Sequence, residues 1–218
     1  MKHNDSISHL SHSWFSLTRP YSGKSALIND FFLEIQEAYS SPGRHYHSLE
    51  HIDALLRMSG KYQSYLKEKE IVDFAIFYHD ICYDVFRSDN EERSARIAKQ
   101  RLNEMGLPDE KVLTVAKYII ASKSHQLSEA ENKTDLAWFL DFDMSVLRSE
   151  WEIYYQYATR IRQEYIGYPA QVYKAGRGEF LRRTLLMPFI FHTSEFRQNF
   201  EHRARLNIKK ELEMLNQI

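Results

Sequence analysis

Three short clusters in this sequence place imidazoles and carboxylates where they can converge. His47 and His51 lie four residues apart, so on a helix they share a face, one turn from each other. His79-Asp80 closes the run Glu70 to Tyr78, whose residues (Ile71, Val72, Phe74, Ala75, Ile76, Phe77) are apolar nearly all round. Ionisable side chains at the end of such a run are costly unless paired, hydrogen-bonded or bound to a cation. Leu140-Asp141-Phe142-Asp143-Met144 likewise sets two carboxylates in an apolar stretch. A His-Asp dipeptide alone is common by chance; its position is what gives it weight. Together these clusters offer two imidazoles and two carboxylates, a mixed N/O set without thiolate. That set suits a divalent ion such as Mn, Zn, Fe, Ni, Co or Mg. Four ligands around an octahedral ion leave two positions for water or substrate oxygens. Such an ion lowers the pKa of a water and polarises a phosphoryl oxygen. The residues alone leave Asp141 and Asp143 as alternatives for the late carboxylate.

The elements that must position these groups are helical. Apolar spacing predicts helices from Ser25 to Tyr39, from about Ser48 to Tyr62, from Glu70 to Tyr78, from Glu91 to Met105 and from Glu110 to Ser122. Further ones are expected from Thr134 to near Phe142, from Glu150 to Tyr165, after Pro169, and from Glu195 to Leu215, with Pro188 kinking or ending its helix. Asp89-Asn90 offers N-cap chemistry to the fourth. Lys123 to Lys133 reads as a polar loop. Glycine and proline number only 7 and 5 in 218 residues, while aromatics reach 14%. That scarcity of turn formers excludes collagen-like and short-stranded sandwich architectures. The expectation is an all-α, single-domain compact bundle over residues 1–218, of about nine or ten helices. Residues 1–13, with His3, His9 and His12, are expected to form a loose polar segment.

Charge and cysteine content narrow the function class. Lys+Arg 29 against Asp+Glu 30 gives a net charge of −1, so no summed field draws nucleic acid or an anionic membrane. No apolar run approaches the roughly 18 residues of a membrane-spanning helix, and Met1-Lys2-His3-Asn4-Asp5 lacks a signal-peptide core. A single cysteine, Cys82, suits a reducing compartment. Cytoplasmic localisation is the expectation, and a homo-oligomer stays open.

Six stretches of the chain, in order, resemble a known family. They are Arg44 to Ile52, Phe77 to Tyr83, Asn90 to Ala95, Leu140 to Asp143, Ile161 to Tyr165 and Tyr173 to Arg177. The set resembles the HD-domain metal-dependent phosphohydrolases, most closely a bacterial branch of predicted metal-dependent hydrolases. The resemblance implies a helical bundle of the HD-domain, phosphodiesterase-like type. It implies His51, His79, Asp80 and one late carboxylate as metal ligands. Asp143 is favoured because Met144-Ser145 follows it as in the family's Asp-Leu-Ser arrangement. Asp141 is then a supporting partner, orienting a histidine. Tyr46-His47-x3-His51 is similar to the cyclic-nucleotide phosphodiesterase motif, in which the first His is the proton donor, so His47 is implied as general acid beside Asp80. Ser48 and Ile52 depart from that motif's Asn and Ala, which argues against cyclic nucleotides as substrates.

Other residues have candidate roles with plainer alternatives. Arg44, Arg162 and Arg177 suit bidentate phosphate recognition, though for each a structural salt bridge is the readier explanation. His125 is placed to reach a second ion or a substrate phosphate, or is a surface histidine. Glu91 supports the metal loop or caps its helix. The leading expectation is hydrolysis of a phosphate ester in a nucleotide or other small phosphorylated metabolite. The alternatives are a non-catalytic module that senses a phosphorylated ligand, and a scaffold with a vestigial site.

Overall fold

The computed structural model describes residues 2–127 and 134–217. Among these residues it is all-helical, with ten α-helices and no strand. They are α1 Lys2–Thr18, α2 Ser25–Tyr39, α3 Leu49–Lys61, α4 Lys69–Tyr78, α5 Asn90–Met105, α6 Asp109–Ala121, α7 Asp135–Asp143, α8 Trp151–Glu164, α9 Ala170–Leu186 and α10 Ser194–Gln217. Short 3-10 turns lie at Arg19–Lys24, Gln63–Tyr65 and Met144–Arg148. None of the helices is long and apolar enough to cross a membrane.

The centre of the molecule is α4. Val72, Phe74, Ala75, Ile76, Phe77 and Tyr78 are fully buried, and α3, α5, α6 and α7 all pack against it. An all-apolar helix surface requires that burial on every side. The chain reaches His79 and Asp80 at the end of this helix, still inside the protein, so their polar groups must find partners there. Pro42-Gly43 ends the preceding connection, with Gly43 at φ +89°, a conformation that favours glycine. The turn lets α3 start at Leu49 and carry His51 inward. At the other end, α9 stops at Leu186 and Met187 is extended (φ −62°, ψ 141°), as the residue before Pro188 must be.

Two local expectations are corrected. The expected loose segment 1–13 belongs almost wholly to α1. Leu10 and Trp14, one turn apart, are buried. The Trp14 ring lies edge-on to Phe77 at 5.1 Å, and its Nε1 donates to the carbonyl of Ile28. The polar residues on the same helix are also used. Ser6 and His9 donate to the buried carboxylate of Asp53 at 3.0 and 2.6 Å. The polar character of the segment therefore reflects a specific partner rather than solvent. At the start of α5, Asp89 makes no side-chain cap; its carboxylate accepts from Arg87 instead. The expected loop Lys123 to Lys133 falls in part outside the described residues, from 128 to 133.

Candidate metal centre

The end of α4, the start of α3 and the end of α7 meet at one point. A nitrogen of His51, a nitrogen of His79 and a carboxylate oxygen of Asp80 all lie within 4.8 Å of one another. His51 Nε2 and His79 Nε2 are 3.3 Å apart. Asp80 Oδ2 is 3.2 Å from His79 Nε2. Asp143 Oδ1, from α7, lies 3.3 Å from His51 Nε2 and 3.7 Å from His79 Nε2. Of the two late carboxylates, Asp143 is the one that reaches this cluster.

Hydrogen bonding defines what the cluster can hold. His79 Nδ1 is 2.9 Å from the carbonyl of Ile76, which can only accept, so Nδ1 carries the proton. In the neutral ring the Nε2 lone pair then faces the Asp80 and Asp143 carboxylates, an arrangement that a proton on Nε2 or a bound cation satisfies. Burial pushes the His79 imidazole down, but Asp80 and Asp143 outweigh it and hold it up at about 9. Burial also opposes charge on both carboxylates. His79 and His47 nevertheless hold Asp80 below the usual range, and His125 and His51 do so for Asp143. His51 differs: burial wins and its ring is lowered despite Asp143. This donor set fits a divalent ion as well as it fits a proton.

Beside the cluster stands a second arrangement with no counterpart in the expectations. Glu164, the last residue of α8, is buried. Its Oε1 accepts from the backbone N–H groups of His45, Tyr46 and His47 at 2.9, 2.7 and 2.9 Å. Its Oε2 accepts from His47 Nδ1 and from the Tyr83 hydroxyl, each at 2.7 Å. The backbone leading into α3 is thus fastened to α8, and the His47 ring is fixed with Nδ1 as donor. Nε2 is left 3.9 Å from Asp80 Oδ2. Burial works against a charged His47, yet Asp80 and Glu164 raise its pKa. Burial likewise opposes the Glu164 charge, but His47 outweighs it and the carboxyl falls to about 2. Tyr46 fills the space between, its ring 5.0 Å from His47, 4.9 Å from His51 and 4.6 Å from Tyr157.

The remaining candidates divide between cleft and scaffold. A cleft of about 660 Å³ opens over the cluster, bordered by His47, Asp80, Asp143, Glu91 and His125 on one side and by α9 on the other. His125 donates from Nε2 to Asp143 Oδ2 at 2.8 Å. Its backbone sits at φ +52°, and its carbonyl accepts from His192 Nε2. Such a conformation in a non-glycine residue stores strain that the surroundings must hold. Burial raises the Glu91 carboxyl, with Asp80 adding to it.

Arg44 and Arg162 do not line the cleft. Arg44 donates to the carbonyls of His47, Asp80 and Ile81 and lies over the rings of Tyr39 and Tyr83. Arg162 donates to the carbonyls of Tyr165 and Tyr168. Arg177 reaches the cleft wall but is buried against Glu211, with Nε and Nη2 on the two carboxylate oxygens at 2.7 and 3.0 Å. These arginines hold loops and helices where a phosphate contact was expected. Asp141 orients no histidine ring. Fully buried, it accepts from the N–H groups of His192 and Thr193 and from the Thr193 hydroxyl. It thereby ties α7 to the start of α10. Burial pushes its carboxyl up to about 7 against those three donors.

In comparisons with family models, with curated proteins and with solved structures, none matches this chain.

Proposed function

We propose that the protein is a metal-dependent phosphohydrolase of the HD-domain type, acting on a phosphate ester of a small molecule. The observation that carries the reading is the acceptor cluster of His51, His79 and Asp80, with Asp143 at its edge, under an open cleft. His51, His79, Asp80 and Asp143 would hold a divalent ion, which would supply Lewis acidity to lower the pKa of a water and polarise a phosphoryl oxygen.

The chain's own groups do the rest. Glu164 accepts the Nδ1 proton of His47 and so dictates the ring's tautomer and orientation. Asp80 and Glu164 raise the pKa of His47 and so favour a second proton on Nε2. That proton faces the cleft, where it can pass to the leaving-group oxygen as the P–O bond breaks. With Glu164 still charged, the ring returns to one tautomer after each transfer. His125, whose carbonyl accepts from the His192 ring, keeps Asp143 turned toward the cluster. Tyr46, which lines the cleft, packs its ring against His51.

Hydrolysis of p-nitrophenyl phosphate and of bis(p-nitrophenyl) phosphate by protein reloaded with Mn, Zn, Fe, Ni, Co or Mg tests this reading. It also separates monoesterase from diesterase activity. His47→Asn is expected to lower kcat by about 10²- to 10⁴-fold, the usual contribution of a general acid. No turnover of either ester with any of these ions, or a His47→Asn variant as active as wild type, would sink it.

A further inference from the structure

The glycines of this chain have different physical reasons to be glycine, and three (Gly23 in the 3-10 turn Arg19–Lys24, Gly60 and Gly176) have neither a positive φ nor a neighbour within 4 Å of a Cβ. Gly43 and Gly106 have positive φ, at +89° and +93°. A Cβ at Gly167 would meet Cζ of Phe86 at 2.7 Å, and one at Gly178 would meet the Arg182 guanidinium at 3.2 Å. Gly176 sits in the interior of α9, where glycine is less favourable than alanine. Its φ is not positive, and nothing lies within 4 Å of the place a Cβ would take. Gly60 is also uncontacted, but it lies in the last turn of α3 and does not border the cleft. Gly176 borders it.

The wall around Gly176 is built of rings. Tyr173 lies one turn before it and Phe180 one turn after it, both on the cleft side of α9. Tyr165, whose ring centroid is 5.9 Å from that of Tyr173, and Tyr157 continue the surface. Arg177 lies beneath with its charge answered by Glu211, so the wall beside Gly176 offers ring faces and bare helix backbone, with the exposed Arg183 two turns further along α9 at its edge. Glycine is the residue that lets a ligand approach backbone closely.

We infer that Gly176 is a specificity-determining residue: it opens a subsite on α9 for a flat ring carried by the alcohol part of the phosphate ester. The inference rests on the phosphohydrolase reading of the cleft and adds the class of leaving group. The phosphoryl end lies at the His51–Asp80 side and the ring lies across Gly176, between Tyr173 and Phe180. A side chain at 176 would fill that space.

Titration calorimetry on metal-reloaded protein with two non-hydrolysable probes, naphthylmethylphosphonate and methylphosphonate, tests this. Wild type is expected to bind the ring-bearing probe at least about ten-fold more tightly, as burial of a ring predicts. Gly176→Leu is expected to bring the two affinities together. Gly176→Ala, the milder change, is expected to reduce the preference partly while leaving Tm no lower than wild type, because alanine favours the helix. Equal affinities in wild type, no detectable binding of either probe, or an unchanged preference in Gly176→Leu would each overturn the inference. A wild type that prefers the ring but hydrolyses neither nitrophenyl ester would keep the subsite and remove the hydrolase.

Discussion

Glu164 answers five donors at once, and the geometry of His47 depends on it. Glu164→Gln keeps an oxygen for the three backbone N–H groups but presents an NH₂ to His47 Nδ1, which reverses the ring's tautomer. The expected result is a fall in kcat of about 100-fold or more with the metal content of wild type, read by steady-state kinetics beside elemental analysis. The same carboxylate affects stability. Its folded pKa of about 2 lies below the ordinary 4.5, so its contribution is present above pH 4.5 and is lost as pH falls toward 2. The shift corresponds to ~3 kcal/mol. Denaturant unfolding between pH 4.5 and 2 should therefore show a steeper loss in wild type than in Glu164→Gln. At this scale the sequence was legible where spacing is local: His47 with His51, and His79 with Asp80. Glu164 was not legible, because its donors lie 81 to 119 residues away and no local pattern announces such a contact. The partners of the arginines were not legible for a related reason, since a guanidinium suited to phosphate is equally suited to the backbone carbonyls that Arg44 and Arg162 hold and to the carboxylate that Arg177 holds.

At the scale of elements, helix positions followed from apolar spacing and from the few prolines and glycines, but the ties between helices did not. Asp141 and Asp143 are two residues apart on α7 and face different partners. Asp143 turns to the histidine cluster, and Asp141 turns to the backbone that starts α10. Asp141→Ala leaves two buried N–H groups and a hydroxyl without their acceptor. It should destabilise the fold by about 2–4 kcal/mol in denaturant unfolding, typical of a broken buried network, while the folded fraction retains its metal. Asp143→Asn should show the opposite pattern, with weakened metal retention and a smaller change in stability. Arg44 acts on the connection between α2 and α3 by holding the carbonyls of His47, Asp80 and Ile81. Its replacement by alanine should weaken metal affinity by about ten-fold or more, as loss of a ligand-orienting contact does, measurable by competition with a chromogenic chelator.

For the whole molecule, scarce glycine and proline and abundant aromatics foretold an all-helical protein, because large rings fill the spaces between long helices. The rings around Trp14 and along Tyr62, Trp138, Phe142 and Phe196 do that here. Composition misjudged the N-terminal segment, whose polar residues serve buried Asp53 and whose Trp14 enters the core. The central claim joins these scales: the central helix, α4, delivers His79 and Asp80 to an internal point where, with His51 and Asp143, they form a set of groups that could hold a divalent ion. Elemental analysis of protein purified without chelators, wild type beside Asp80→Asn, tests that most directly. The account predicts a divalent ion in near-equimolar amount in wild type and most of it lost from the variant. The same near-zero content in both proteins would contradict it.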